Sequence, residues 1–177
     1  MKRLRFLSTA IIALVTVFAF QSCDDDDVDN IRIDNQTFVT KASNSNTFEV
    51  AAGTLAITKS DNQQVKNYGN KMIEDHTAVG IELSALAQSK DWTIPTELEA
   101  QEKIKLATLT ALTGTAFDKE YAKIMVESHE DAINLFTTAS GSNGVMDMEL
   151  KSFASGKLPA LKTHLEEAQI LKTEVNN

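Results

Sequence analysis

Residues 65–86 read VKNYGNKMIEDHTAVGIELSAL. Within them Val65, Tyr68, Met72, His76, Val79, Leu83 and Leu86 recur every three or four positions, the spacing that gathers side chains on one face of an α-helix. That face is apolar except at its middle, where His76 stands. Part of the pattern returns later in the chain: Tyr68, Met72, Ile73, Glu74 and His76 are matched by Tyr121, Met125, Val126, Glu127 and His129. Only three histidines are present, so this pattern places two of them at equivalent points of two helices.

Working outward, residues 36–59 form a first long helix, with Phe38, Ala42, Ser45, Glu49, Ala52 and Ala56 on one stripe and Phe48 and Leu55 beside it. Ser60 with Gln63 has the form of a capping box and predicts a second helix running to about residue 89. Asp91, Trp92, Thr93, Ile94 and Pro95 make a loop, and Trp92 is placed to cap one bundle end. Thr96 with Glu99 predicts a shorter helix from there to about Leu112, broken by Thr113 and Gly114. A third long helix over residues 117–138 carries Ala122, Met125, His129 and Phe136. After the loop at residues 140–144, a last helical segment begins at Met146. The sequence predicts an interruption near Gly156 and a restart at Leu158 and Pro159, where proline suits a first turn. Its stripe is Leu161, His164, Ala168, Leu171 and Val175. Alternating β patterns and hairpin turns do not occur. The expected class is all-α: an antiparallel four-helix bundle over residues 36–177, with an extra short helix between the second and third long helices.

The first residues read as an address. Lys2, Arg3 and Arg5 precede an apolar run from Phe6 to Phe20 that is too short to cross a bilayer core of about 30 Å as a helix. Residues 1–22 are therefore expected to be a signal peptide. Phe20, Gln21, Ser22 and Cys23 resemble the lipobox of bacterial lipoproteins, with Phe20 where an aliphatic residue is usual. Cys23 is the sole cysteine, which excludes an intramolecular disulfide and makes lipidation the expected role. Residues 23–35 then form an acidic tether. Its run Asp24 to Asp27 cannot bury itself and stays solvated, and it resembles the export signal of Bacteroidetes surface lipoproteins. These features place the protein at the bacterial envelope, lipid-anchored to the outer membrane, either periplasmic or surface-exposed. The chain carries a net charge of −8. Cleavage would remove three of its basic residues and none of its acidic ones, which makes nucleic acid a poor partner.

Several motifs occur together in a fixed order: Phe38-Val39 and Glu49 to Ala56; Met72-Ile73-Glu74-Asp75-His76; Phe117-Asp118 with Tyr121, Met125 and His129; and Leu158-Pro159 with Leu161 and His164-Leu165. In these the chain resembles the bacterial envelope proteins grouped as domain of unknown function 4142, which are placed with ferritin-like four-helix bundles. The resemblance spans residues 38–171. It implies a ferritin-like fold and an envelope location, and no established reaction.

Glu49, His76, His129 and His164 each lie on the apolar stripe of a different long helix. Buried ionisable groups are costly unless they are paired, hydrogen-bonded or bound to metal. Two readings follow. In one, the histidines are neutral and hydrogen-bonded to Glu49, Tyr68, Tyr121 or backbone carbonyls, and the layer only fixes helix register. In the other, the four residues hold a divalent transition metal, with Tyr68, Tyr121, Asp75, Met72 and Met125 as outer partners and Asp75 in reach only if the second helix rotates locally. Met72 and Met125 lie one turn before the histidines, a spacing that copper could use. The Glu-x-x-His pairs of di-iron bundles are absent, so di-iron chemistry is not expected. Neither a nucleophile elbow nor a phosphate-binding glycine loop is present. The sequence therefore favours a membrane-anchored binding or structural module, with metal binding or handling as the alternative. An enzymatic role stays open.

Overall fold

Asp34 opens the fold by accepting the backbone N–H of Thr37 at 2.8 Å, which satisfies one of the donors that a helix start leaves unpaired. The computed structural model describes residues 33–177; the expected signal peptide, Cys23 and the aspartate run lie outside the described residues. Helix α1 (Asn35–Lys59) follows Asp34 and ends at Ser60. Ser60 was expected to cap the next helix. Instead its hydroxyl donates to the buried carboxylate of Asp118 at 2.5 Å, and Asn62 caps α2 (Gln63–Ser89) through the N–H of Gln64. A buried carboxylate is a stronger acceptor than the open turn offers, so the cap moves from Ser60 to Asn62 and the helix starts two residues later than the box predicts.

The second expected capping box does not form either. The N–H of Glu99 is taken by Asn44 Oδ1 at 2.7 Å, and α3 (Ala100–Ala111) begins only after Glu99. This short helix packs along α1 and α4, with Leu109 fully buried and Lys59 donating to the carbonyls of Thr110 and Leu112 at its end. Helix α4 (Gly114–Ser140) starts at Gly114, whose φ of 58° suits a residue without Cβ.

Helix α5 (Met148–Glu174) corrects the predicted interruption: it runs unbroken through Gly156 and Pro159. Both residues are solvent-exposed, so water can satisfy the carbonyl that the missing proline N–H leaves free. Trp92 packs against the core at one end of the bundle, as its loop position suggested.

Among the described residues the fold is all-helical. α1 pairs with α2 and α4 with α5; α1 also lies beside α4, and α2 beside α5. Asn35 accepts from the N–H groups of Met146 and Asp147 at one end, while Ser60 meets Asp118 at the other. The long helices thus run up, down, down, up, with every neighbouring pair antiparallel and one long crossover through α3. That is the ferritin-like connection. Gly53 and Gly69 let α1 and α2 touch backbone to backbone: a Cβ on Gly53 would sit 2.7 Å from the carbonyl oxygen of Gly69.

The apolar interior comes in two parts. One holds Phe48, Val65, Tyr68, Met72, Phe117, Tyr121 and Leu171; the other holds Phe38, Leu83, Phe136, Val145, Leu150 and Leu161. Between them, at mid-height of all four long helices, lies the layer that contains the histidines.

Candidate metal centre

His76 comes from α2, His129 from α4 and His164 from α5. Each stands near the centre of its helix, so three helices of equal length, α2 and α4 running one way and α5 the other, bring the rings together at mid-height. Their centroids form a nearly equilateral triangle, 5.8 Å between His76 and His129, 5.6 Å between His76 and His164, and 5.4 Å between His129 and His164. One ring nitrogen from each lies within 4.8 Å of the other two, and all three residues are buried.

The outer nitrogens determine the tautomers. His76 Nδ1 faces Asn46 Oδ1 at 3.1 Å, His129 Nδ1 faces the carbonyl oxygen of Met125 at 2.8 Å, and His164 Nε2 faces Asp75 Oδ2 at 2.8 Å. Each partner atom is an acceptor, so each outer nitrogen carries the hydrogen. His76 Nε2, His129 Nε2 and His164 Nδ1 are then left as lone-pair acceptors, and these same three atoms are buried with no hydrogen-bond partner. Burial together with the His129 and His164 rings pushes the His76 pKa down to about 3. Burial also lowers that of His164, against the pull of Asp75. His76 is therefore neutral at physiological pH.

The structure brings the three imidazoles together without Glu49. Its Oε1 is 3.9 Å from His129 Nδ1, the outward nitrogen, and it accepts the hydroxyl of Ser128. Glu49 thus lies behind His129. Burial raises its pKa, opposed by His129 and by the Ser128 hydrogen bond, and its Oε2 has no partner. Neither tyrosine bonds an imidazole. Tyr68 donates to the backbone carbonyl of His164 at 3.0 Å, while the buried Tyr121 hydroxyl is unpartnered; burial and Glu49 raise the pKa of both. Met72 and Met125 are fully buried, and Met125 supplies the carbonyl that holds His129. Asp75 reaches His164 from a regular α2 with no local rotation, because it lies on the edge of α2 that meets α5, where Lys71 also pairs with Glu167. Glu74 and Glu127 are exposed, as their offset around the helix required.

Two residues that matter here were passed over in the sequence: Asn46, which orients His76, and Ser128, which holds Glu49. Asn46 precedes Glu49 by three positions and so shares its helix face, a signal that could have singled it out.

Three buried imidazoles, each with one nitrogen turned inward and the other on an outward hydrogen-bond acceptor, are the donor set and surroundings that bind zinc, copper, iron or nickel. Nitrogens around one such ion at about 2.0–2.1 Å also lie within 4.8 Å of one another.

Comparison with known proteins fits this fold. The solved structure titled "CopM in the Cu(II)-bound form" superposes with a TM-score of 0.65 at 12% identity, over 81% of this chain and 98% of that one. No curated protein matches the chain. A family model described as "Domain of unknown function (DUF4142)" matches residues 24–171, the greater part of the sequence, and the chain belongs to that family.

Proposed function

We propose that this protein is a lipid-anchored envelope protein whose bundle binds a transition-metal ion through His76, His129 and His164. The observation that carries this reading is the convergence of three buried, unpartnered imidazole nitrogens. A layer that only fixed helix register would use up its polar atoms in hydrogen bonds. Here each ring uses one nitrogen and leaves the other facing its neighbours. The roles divide by helix: α2, α4 and α5 supply ligands, and α1 supplies Asn46 and Glu49 behind them. Such outer partners fix ring orientation and raise ligand basicity.

Copper is the first ion to try, because the solved structure of similar fold holds Cu(II) and imidazoles bind copper more tightly than the other divalent ions of its row. The test is elemental analysis of the purified protein after exposure to Cu(II) or Zn(II) and dialysis. One ion per chain in the wild type and none in His76→Ala/His129→Ala is the expected result; equal metal in both, or in neither, defeats the reading. The anchor is tested separately by labelling cells with palmitate: label should enter the wild type and not Cys23→Ser.

A further inference from the structure

The histidine triad does not fill the space around it. A cavity of about 50 Å³ adjoins it, lined by His76 and His164 and walled by apolar side chains that include Ala42, Leu83, Ala132 and Phe136. A water needs roughly 10–15 Å³ of such volume, so the space holds a few small atoms. Asp75 and Lys157 also line it, towards the α2 and α5 surface; Asp75 is partly exposed and Lys157 pairs with Glu82. Among the described residues the donor group contains three members, all imidazoles. Three protein ligands with a vacant direction are the arrangement of metal sites that exchange a ligand, whereas closed structural sites use four.

We propose that the site is an open one: an ion on the triad keeps a coordination position facing this cavity, and that position takes a small exogenous ligand of one to three heavy atoms. This rests on the metal-binding reading above and adds which ligand class the site admits. Of the polar residues that line the cavity, Asn46 and Asp75 are engaged by the outer nitrogens of His76 and His164 and Lys157 by Glu82, and the rest of the cavity is apolar but for Ser45. The size of the cavity excludes organic chelators and side chains of a partner, and it admits water, dioxygen or a linear triatomic anion.

Azide is the probe. The full chain loaded with one equivalent of Cu(II) and desalted should gain, on azide titration, a new charge-transfer absorption band that saturates at one azide per copper. Ala132→Leu narrows the cavity without touching a ligand, and Ala132→Val does so with less risk to folding. Both should retain copper and bind azide at least tenfold more weakly, with Val between wild type and Leu. Copper-loaded wild type that gives no azide band overturns the proposal while leaving metal binding intact. So do variants that keep copper and bind azide as the wild type does. Failure to load copper or any other ion removes the metal reading itself, and the copper content measured before titration distinguishes that result.

Discussion

At the scale of single residues, the proposed centre rests on partners that stand behind the three imidazoles. Asp75→Ala removes the acceptor that holds His164 Nε2 and, from a partly exposed position, leaves the core alone. Metal affinity should fall about 10–100-fold, measured by competition with a chromophoric chelator, with little change in metal-free stability. Protonation gives a second expectation, for the metal-free protein. His76 has its folded pKa depressed to about 3, against an ordinary value near 6.5. Below that ordinary value the unfolded chain takes up a proton that the folded protein refuses, so the stability His76 contributes is full above about pH 6.5 and is lost as pH falls towards 3. The loss is about 1.4 kcal/mol per pH unit. Urea titrations between pH 7 and 4 should show a steeper decline for wild type than for His76→Phe; parallel declines would contradict the assignment. Comparing the two proteins cancels Glu49, whose raised pKa acts in the opposite direction. The histidines were legible from periodicity because a polar residue on an apolar stripe stands out. Asn46 and Ser128 were not, since amides and hydroxyls occur on any helix face and only the neighbouring helix gives these two a task.

At the scale of elements, glycines separate packing from propensity. Gly156 lies within α5 with nothing within 4 Å of where a Cβ would be. Gly156→Ala should therefore stabilise by about 0.5–1 kcal/mol, the usual helix preference of alanine. Gly53→Ala gains the same preference but forces its Cβ against the backbone of α2. It should destabilise by about 1–3 kcal/mol, and thermal or urea unfolding of the two variants should move in opposite directions. Gly80 has a different role: a Cβ there would lie 2.7 Å from Asn46 Nδ2, and Asn46 orients His76. Gly80→Val should weaken metal binding more than it weakens the fold. Helix existence followed from the 3.6-residue period, while helix ends did not. Ser60 had the form of a cap and serves Asp118 instead; Pro159 had the form of a start and lies inside α5. In both cases the deciding group, a distant carboxylate or open solvent, is invisible to a local pattern.

At the scale of the whole molecule, ion binding should appear as stability. An ion held only by the folded state at about 100 times its Kd adds about 2.7 kcal/mol, or roughly 5–10 °C in Tm for a domain of this size. Differential scanning fluorimetry with Cu(II) and Zn(II) should show that rise in wild type and lose it in His76→Ala/His129→Ala. The sequence alone determined that the chain is helical, how many long helices it has and which residue types face inward, because these follow from composition and from a period that each helix carries by itself. It also carried the family motifs. The height at which those inward residues meet was decided only by the tertiary structure. Helix register and the crossover through α3 placed three imidazoles in one layer between two apolar clusters, and moved Glu49 behind His129. A sequence pattern fixes the angle of a side chain around its own helix axis; its partner across the core depends on how far each helix slides along its neighbours, which only the packed bundle sets.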